Sequence, residues 1–511
     1  MSQAPTRPQM TSPVAPFATA TDTGALLHET HTGLVVLFGN RAYKVKKPIT
    51  TDFLDFGTPL SRERACRREY ELNRRLAPDV YLGVAHLSDP LGGPEEPVLV
   101  MRRMPEQRRL STMLSDSTAD GTRLSVLVRT LVAFHDRARR GPDIDRAGTA
   151  DALRERWLTV LDTLRRQPGD LIEPGRIADV EDRAMRYIRG RVPLFEHRIA
   201  DGRIVDGHGD LLAQDIFDLP DGFRILDCLD FDDRLRHIDR LDDIAFLAMD
   251  LEFLGHPEQA DALIADYLRF GSDDAPLSLA HHYRAYRALV RAKVDAIRFA
   301  QGEVTARDRL RRHVSLAERH LARGTIRLAL VGGLPGTGKT TVANRLAAVT
   351  GSQVLATDRV RRELIARGEI SGAVGVYDAG AYAPDARSRV YTELFDRARR
   401  LLTTGVSVVL DASWSDASQR QRALELAAAT DAEPVRLCCE CPRETADHRL
   451  RNRPPTESDA TPEIAHAIAD SAAAWPEADL LDTTRPLDLV VAEAVARWHD
   501  TPPGGVARTV S

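Results

Sequence analysis

Cysteine is scarce, with five in 511 residues: Cys66, Cys228, Cys438, Cys439 and Cys441. That number and spacing form no disulfide framework, which fits a reducing compartment, the cytoplasm. Three of the five crowd into VRLCCECP, where a zinc site would need a matching Cys/His pair nearby. There is none, so the run reads as a core strand. No apolar stretch reaches spanning length, which excludes a transmembrane helix. The opening MSQAPTRPQMTSPVAPFATA lacks the basic start and continuous apolar middle of a secretory signal. Rich in Pro, Ser, Thr and Ala, it is expected to be a disordered tail over residues 1–22. Nor does one sign of charge dominate. Lys and Arg total 70 against 75 for Asp and Glu, a net −5, too mild for a bulk nucleic-acid or membrane binder. What the chain does have is length and 43% hydrophobic residues, enough for about three to four domains or two large ones.

The sharpest signal is Ile326 to Thr341, IRLALVGGLPGTGKTT. Ile326 to Val331 read as a buried strand, and TVANRLAAVT as a helix that Gly351 ends. The loop between them fits G-x-x-x-x-G-K-[ST] with Gly333, Gly338, Lys339 and Thr340. Glycine lets backbone N–H groups approach phosphate oxygens, and the helix that follows points its positive end at the same anion. The expected cradle is Gly333, Leu334, Pro335, Gly336, Thr337, Gly338, Lys339, Thr340 and Thr341. Lys339 would reach the terminal phosphates of ATP, and the hydroxyl of Thr340 would hold Mg²⁺.

From Thr325 on, strands and helices alternate as in a parallel sheet. SQVLATDRVRREL gives a strand ending at Thr357-Asp358. Asp358 and Arg361 would share one side of the next helix's first turn, at the ligand-binding edge of the sheet; a helix-capping Asp is the alternative. VSVVLD is an apolar strand closed by Asp411, a position suited to magnesium or its waters. HRLRNRPPTESDA sets Arg449 and Arg453 four apart on one helix side before a Pro-rich loop. Such a pair suits either a lid over a transferring phosphoryl group or a solvated basic helix.

Upstream, apolar runs flank Gly39-Asn40 and read as a β-hairpin, with Lys44 and Lys46 on one face of its second strand. SRERACRREYELNRRLAP reads as a helix carrying Glu69, Leu72 and Leu76 along one side. PVLVMRRMPEQRRL looks like a strand leaving through a linker. Gly121 to Arg140 and Ala150 to Gly190 have helical patterns. In Val205 to Asp233, strands DIF and FRIL flank a Pro-Asp-Gly turn. Asp210, Asp215, Asp227 and Asp230 cluster near the strand ends, more carboxylates than apolar surroundings tolerate without a cation or proton. Mg²⁺ would answer that; a loop of solvated acids is the alternative. HHYRAYRALVRAKVDAIRFA reads as a helix whose basic face, Arg284, Arg287, Arg291 and Lys293, is expected to be solvated unless it lines an acceptor pocket or docks the second domain. The charged helix after it ends at Gly324, the expected domain boundary.

On these residues, the stretch from about Leu26 to about Ala322 resembles the aminoglycoside-phosphotransferase-like, or protein-kinase-like, fold. The resemblance implies that Ala42-Tyr43-Lys44 is the third-strand lysine motif, with Lys44, or Lys46 as fallback, on the α- and β-phosphates of ATP. It makes Glu69 the lysine's ion-pair partner and Val98 to Pro105, including Met101 and Met104, the adenine hinge. Val132 to His135 resembles L-A-x-x-H, and Asp242-Asp243-Ile244-Ala245 resembles a D-x-A step. His208-Gly209-Asp210 matches H-G-D, which makes Asp210 the base for the acceptor hydroxyl. The second metal ligand is Asp227 or Asp230, with Asp227 favoured because a strand leads straight into it. Two departures stand out. Asp215 occupies the family's metal-binding Asn position, and Thr30-His31-Thr32-Gly33 replaces the glycine-rich covering loop. Asp215 keeps an inactive pseudokinase open.

From about Ile326 to Leu481 the chain resembles the small P-loop kinases of the gluconate-kinase, chloramphenicol-phosphotransferase and polynucleotide-kinase 5′-end type. That resemblance implies Asp358 as hydroxyl-activating acid, Arg361 as a substrate or phosphate arginine, and Arg449 and Arg453 as lid arginines. The expected architecture is an α+β protein-kinase-like two-lobed domain over 23–324, an α/β P-loop domain with a parallel sheet over 325–500, and a tail over 501–511. The expected reaction moves the γ-phosphoryl group of ATP to a small-molecule hydroxyl. The alternative is a nucleotide-binding regulator joined to a P-loop ATPase or kinase that serves as a signalling module. Sugars, amino sugars, nucleosides and a polynucleotide 5′ end all remain open as acceptors. No membrane partner is expected, and oligomeric state is not legible.

Overall fold

The computed structural model describes residues 25–29, 33–50, 55–116, 121–169, 171–372, 380–452 and 461–500. They fall into two compact units, one of residues up to 118 plus 214–233, the other of 119–213 plus 234 onwards.

The first unit is built on a five-stranded antiparallel sheet in the order Leu26–Glu29, Gly33–Phe38, Arg41–Lys46, Glu96–Arg102, Tyr81–Leu87. The hairpin turns at Gly39-Asn40, where Gly39 supplies a left-handed φ of +56°. Ala42, Leu99 and Met101 from the sheet close a core with Ala77, Val80 and Tyr81. The helix Pro59–Asn73 opens with a capping box, in which Thr58 Oγ1 accepts the Ser61 N–H at 3.1 Å. Its buried stripe is Arg62, Cys66, Glu69, Leu72 and Asn73, so helical periodicity turns Glu69 inward. The hairpin Ile216–Leu219 and Gly222–Ile225 completes the unit.

The second unit begins with helices. The helical pattern over 150–190 resolves into two of them, Ala150–Arg165 and Pro174–Gly190. Pro168-Gly169 ends the first, and Pro174 at the first helical position opens the second. The helix Arg240–Phe253 is buried almost all round, covered in part by Pro257–Phe270 and Leu277–Ala300. The basic face expected to be solvated on Leu277–Ala300 is not. Arg284 and Arg287 are buried and paired with acids of neighbouring helices, while Arg291 and Lys293 are half-buried.

The same unit contains a five-stranded parallel sheet in the order Gln353–Ala356, Val408–Asp411, Arg327–Gly332, Glu433–Glu440, Asp479–Asp482. Its central strand is wholly buried, as a parallel sheet covered on both faces requires. Ala329 and Val331 pack with Val342, Leu346, Val490 and Trp498 of the helices Lys339–Thr350 and Leu487–His499. Cys438 and Cys439 lie within Glu433–Glu440, so the strand reading of that run holds.

A polar seam fastens this sheet to the helices before it. Arg189 grips Asp431 through two hydrogen bonds, of 2.9 and 2.5 Å, and Arg191 donates to Thr430 O. Tyr187 Oη meets Ser278 Oγ at 3.0 Å, and Ser278 donates onward to Gly405 O at 2.7 Å. A Cβ at Gly190 would strike Thr430 O, so only glycine lets the two backbones approach this closely. Among the described residues no helix is long and apolar enough to cross a membrane.

Candidate active sites

In the first unit two lysines share one carboxylate. Lys44 and Lys46 alternate on their strand, so both leave the same face, toward Glu69. Glu69 is 1% exposed; Lys44 Nζ lies 2.7 Å from its Oε1 and Lys46 Nζ 2.6 Å from its Oε2. Each lysine also reaches the acidic loop, Lys44 to Asp227 Oδ1 at 3.2 Å and Lys46 to Asp230 Oδ2 at 3.0 Å. Burial opposes charge at Lys44, Lys46, Glu69 and Asp230, yet pairing wins at the first three. Asp227 and Glu69 hold the Lys44 ammonium well above its ordinary value, and Glu69 and Asp230 raise Lys46. Against its own burial, Glu69 is held well below the usual carboxylate range by the two lysines. At Asp230 burial prevails and the carboxyl is raised, with Lys46 only partly offsetting it.

The acidic loop is anchored to the Glu69 helix. Cys228 N–H donates to Asn73 Oδ1 at 2.8 Å, and Asn73 Nδ2 donates to Glu69 O at 2.9 Å. Asp227 itself sits at a left-handed φ of +61°, its N–H 3.3 Å from Tyr81 Oη. Leu226 N–H donates to Asp215 O at 2.9 Å, which sets Asp215 beside this loop. Met101 belongs to the sheet core, and Met104 packs at its edge. Thr30, His31 and Thr32 lie outside the described residues. Exchanging Glu69 for Gln is expected to cost about 2–3 kcal/mol, because one amide cannot neutralise a buried ammonium and a half-buried one. Chemical denaturation of Glu69→Gln against the parent chain measures it.

In the second unit a buried carboxylate organises the turn before Asp210. Asp243 accepts His208 N–H at 2.6 Å, Gly209 N–H at 3.0 Å and a hydrogen bond from His135 Nε2 at 3.0 Å. Arg240 donates to Tyr267 Oη at 2.7 Å, which faces His135 Nδ1 at 2.7 Å. A proton on His135 Nε2 satisfies the whole chain. Burial keeps that imidazole below its ordinary value, so it serves as a neutral donor. Burial also works to raise Asp243, but the His135 bond and the His208 N–H hold its carboxyl well below the usual range. Asp242 pairs with Arg287 at 2.7 and 2.9 Å, and Arg287 also donates to Gly209 O at 3.2 Å. Asp210 follows this clamped turn, half-buried.

The glycine-rich loop leaves Arg327–Gly332 and enters Lys339–Thr350, as its pattern predicts. Gly336 takes a left-handed φ of +86°, and a Cβ there would meet Ala446 O at 2.6 Å, so glycine is required. Gly338 precedes the helix without any side-chain cap, which leaves the first-turn N–H groups to an anion. Thr483, which sequence reasoning missed, donates to Thr337 O at 2.7 Å. Arg449 in turn donates to Thr483 O at 2.8 Å and Oγ1 at 3.2 Å. Arg449 is thereby tied to the loop, while Arg453 lies outside the described residues.

Parallel register sets Asp411 beside Val331 and Ala356, at the edge where the loop begins. The donor set there, a carboxylate at Asp411 and a hydroxyl at Thr340 on the helix's first turn, is of the hard oxygen type that Mg²⁺ takes. Asp215, Asp227 and Asp230 offer the same chemistry in the first unit. Asp358 is not a cap: Ala356 holds the N-cap position, and Arg361 pairs with Asp358 Oδ1 at 2.5 Å. The Arg361 guanidinium lies 4.1 Å over the Tyr382 ring. A cavity of about 90 Å³ brings Lys339, Asp358 and Arg361 together with the unforeseen Tyr382, Arg387 and Ser413. One signal for it was present: Ser413-Trp414-Ser415-Asp416 lies one residue beyond the acid-terminated strand. Trp414 adopts a φ of +53° and buries its ring against Tyr391 and Phe395, while Ser413 and Ser415 line the cavity.

Comparison with known proteins adds three findings. Residues 328–475 match a family model described as an AAA domain. The Mycobacterium tuberculosis protein Rv2004c, described as uncharacterized, is 46% identical over 473 residues, covering 93% of this chain and 95% of its own. Two solved structures each cover part of the chain. A sugar kinase from Janibacter sp. covers 35% of this chain and 96% of its own at 21% identity and TM-score 0.28. A choline/ethanolamine kinase family protein from Mesorhizobium loti covers 59% of this chain and 93% of its own at 18% identity and TM-score 0.35.

Proposed function

The chain belongs to the family of the mycobacterial protein Rv2004c, and from that premise we propose that it is a two-domain ATP-dependent phosphotransferase acting on hydroxyl groups. The observation that carries the reading is the cavity beside the phosphate loop. It sets Lys339, built to meet a polyphosphate, near Asp358, a carboxylate able to orient and deprotonate an alcohol. In this half Gly333 to Thr341 would cradle the β- and γ-phosphates, and Arg361 and Arg449 would neutralise charge gathering on the transferring group. Arg453 is assigned to the same task by sequence. Thr340 and Asp411 would hold Mg²⁺.

In the N-terminal half Lys44 is assigned to the α- and β-phosphates, with Glu69 holding it, and Met101 and Met104 to the adenine. Lys46 supports Glu69 and Asp230. Asp210 is assigned as the base, and Asp215 with Asp227 or Asp230 as metal ligands. Mg²⁺, when bound at either site, would neutralise phosphate charge and align the oxygens. The protein's own part is to place the hydroxyl in line, exclude water and accept its proton.

One observation favours a second reading, in which the N-terminal half only binds nucleotide. Both candidate metal carboxylates, Asp227 and Asp230, are gripped by lysines, and Asp215 replaces the usual amide. A screen of hydroxylated metabolites for phosphate acceptance, run on the full chain and on Asp210→Ala, separates the two. The kinase reading expects Asp210→Ala to lose one acceptor class entirely. Unchanged transfer to every acceptor would assign that half to regulation, and turnover seen only with an added protein would favour a signalling role.

A further inference from the structure

The seam holds a cavity that neither proposed site uses. It lies between Pro174–Gly190 and Leu277–Ala300 on one side and Asp431 and Glu433 on the other, with a volume of about 20 Å³. That is room for one water-sized or monatomic guest. Arg191 forms part of its wall and is 1% exposed. Its Nη1 is used by Thr430 O, but its Nε is buried without a hydrogen-bond partner. His282, also lining the cavity and 1% exposed, accepts Trp157 Nε1–H on its Nε2 at 3.0 Å. Burial and the nearby Arg191 charge push this ring down to about 3, so it is neutral and its proton sits on Nδ1. That Nδ1–H, too, is buried and has no partner. The Tyr187 ring stacks on His282 at 4.5 Å and lies 5.4 Å from the Arg191 guanidinium, which holds both donors in place.

The charges around the cavity do not balance. Arg183, Arg186 and Arg191 line it, against Asp431 and Glu433. Both carboxylates are already engaged, Asp431 by Arg189 at 2.5 Å, Glu433 by Arg186 at 3.4 Å and by Arg327 at 3.5 Å. Glu433 Oε2 makes no hydrogen bond, but the Arg327 guanidinium answers its charge. His320, the remaining titratable wall group, is occupied by His281 and Glu252. What is left is a buried guanidinium whose charge is answered only in part by Asp431, itself held by Arg189, and whose Nε–H, like the His282 Nδ1–H, has no hydrogen-bond partner among the described residues. A charge so placed is costly without a counter-ion.

We propose that this cavity binds one small monovalent anion of chloride size, held by Arg191 Nε–H and His282 Nδ1–H. A water would offer lone pairs but no charge; the anion offers both. Its location gives it a mechanical role. Glu433 begins the strand that pairs with Arg327–Gly332, and that strand leads into the phosphate loop. The ion would fix the Arg191 guanidinium, whose Nη1 donates to Thr430 O just before that strand, and so steady the contact between the helical segment and the edge of the sheet.

Crystals of the full chain grown in sodium bromide decide the matter. An anomalous peak is expected inside the cavity, within hydrogen-bonding distance of Arg191 Nε and His282 Nδ1. Thermal unfolding in bromide is expected roughly 1–2 °C above that in sodium gluconate of equal ionic strength, at about ten times the dissociation constant. His282→Phe keeps the ring stack, removes a donor, and should erase that difference. A water refined in the cavity without anomalous signal overturns the proposal, as does a halide response that survives intact in His282→Phe.

Discussion

Alanine at Lys339 is expected to lower phosphoryl transfer by the P-loop half about 10²–10³-fold while leaving the unfolding midpoint almost unmoved. The side chain stands at the mouth of a polar cavity and is only half-buried, so its loss opens no core void. What disappears is a fixed positive charge aimed at the terminal phosphates, and that charge matters most as the bond breaks. Calorimetric titration of the full chain with ATP and magnesium gives the second reading. If each half holds one nucleotide, Lys339→Ala should show one site fewer than the parent. A parallel fall in stability would instead mark Lys339 as structural and remove it from the proposed machinery.

Asp243→Ala should be the most damaging single change outside the phosphate loop, destabilising the chain by about 3–5 kcal/mol. One carboxylate there satisfies three buried donors, and alanine strands all of them. The turn that presents Asp210 would lose its clamp, so Asp210-dependent transfer should fall even where the variant stays folded. Denaturant unfolding and transfer measured below the new midpoint separate the two effects. The same group sets a pH dependence. Its folded value is depressed below an unfolded value near about 3.9, so its contribution is complete above that pH and fades as the pH falls toward the folded value. Glu252, bound to His320 and lowered to about 2 against its burial, adds in the same direction. Stability should therefore drop on acidification below about pH 4 in the parent chain. That slope should be shallower in Asp243→Ala.

The parts of the fold legible in the sequence were those whose physics is local. A β-branched run, a glycine loop and a capped helix are contiguous, so the phosphate loop, its strand and the Gly351 stop could all be read directly. Asp411 was visible because an apolar strand ended in an acid. Alternation on a strand and periodicity on a helix placed Lys44 and Glu69 on their faces, but their pairing was expected only from the resemblance to the protein-kinase-like fold. Partnership across long sequence distances was not visible. Arg287 looks solvated when its helix is read alone; only the approach of Asp242 from another helix makes its burial affordable. Thr483 carries no mark of its role, since its hydroxyl meets the loop through strand order rather than spacing. The break between Ala150–Arg165 and Pro174–Gly190 was different. Pro168-Gly169 and Pro174-Gly175 announce it, and a reading weighted toward periodicity passes over them.

The seam bears on how this protein can be taken apart. Gly324 looks like a natural place to cut, since a helix stops there and the central strand starts three residues later. Yet a fragment beginning after it would bare Thr430, Asp431 and Glu433 to solvent with Arg186, Arg189 and Arg191 gone and only Arg327 left beside Glu433, while the other fragment would carry Arg189 and Arg191 with nothing to grip. Expressed alone, the pieces should be less soluble and less heat-resistant than their joint behaviour suggests. Dissection of the two activities is better done by single substitutions in the intact polypeptide.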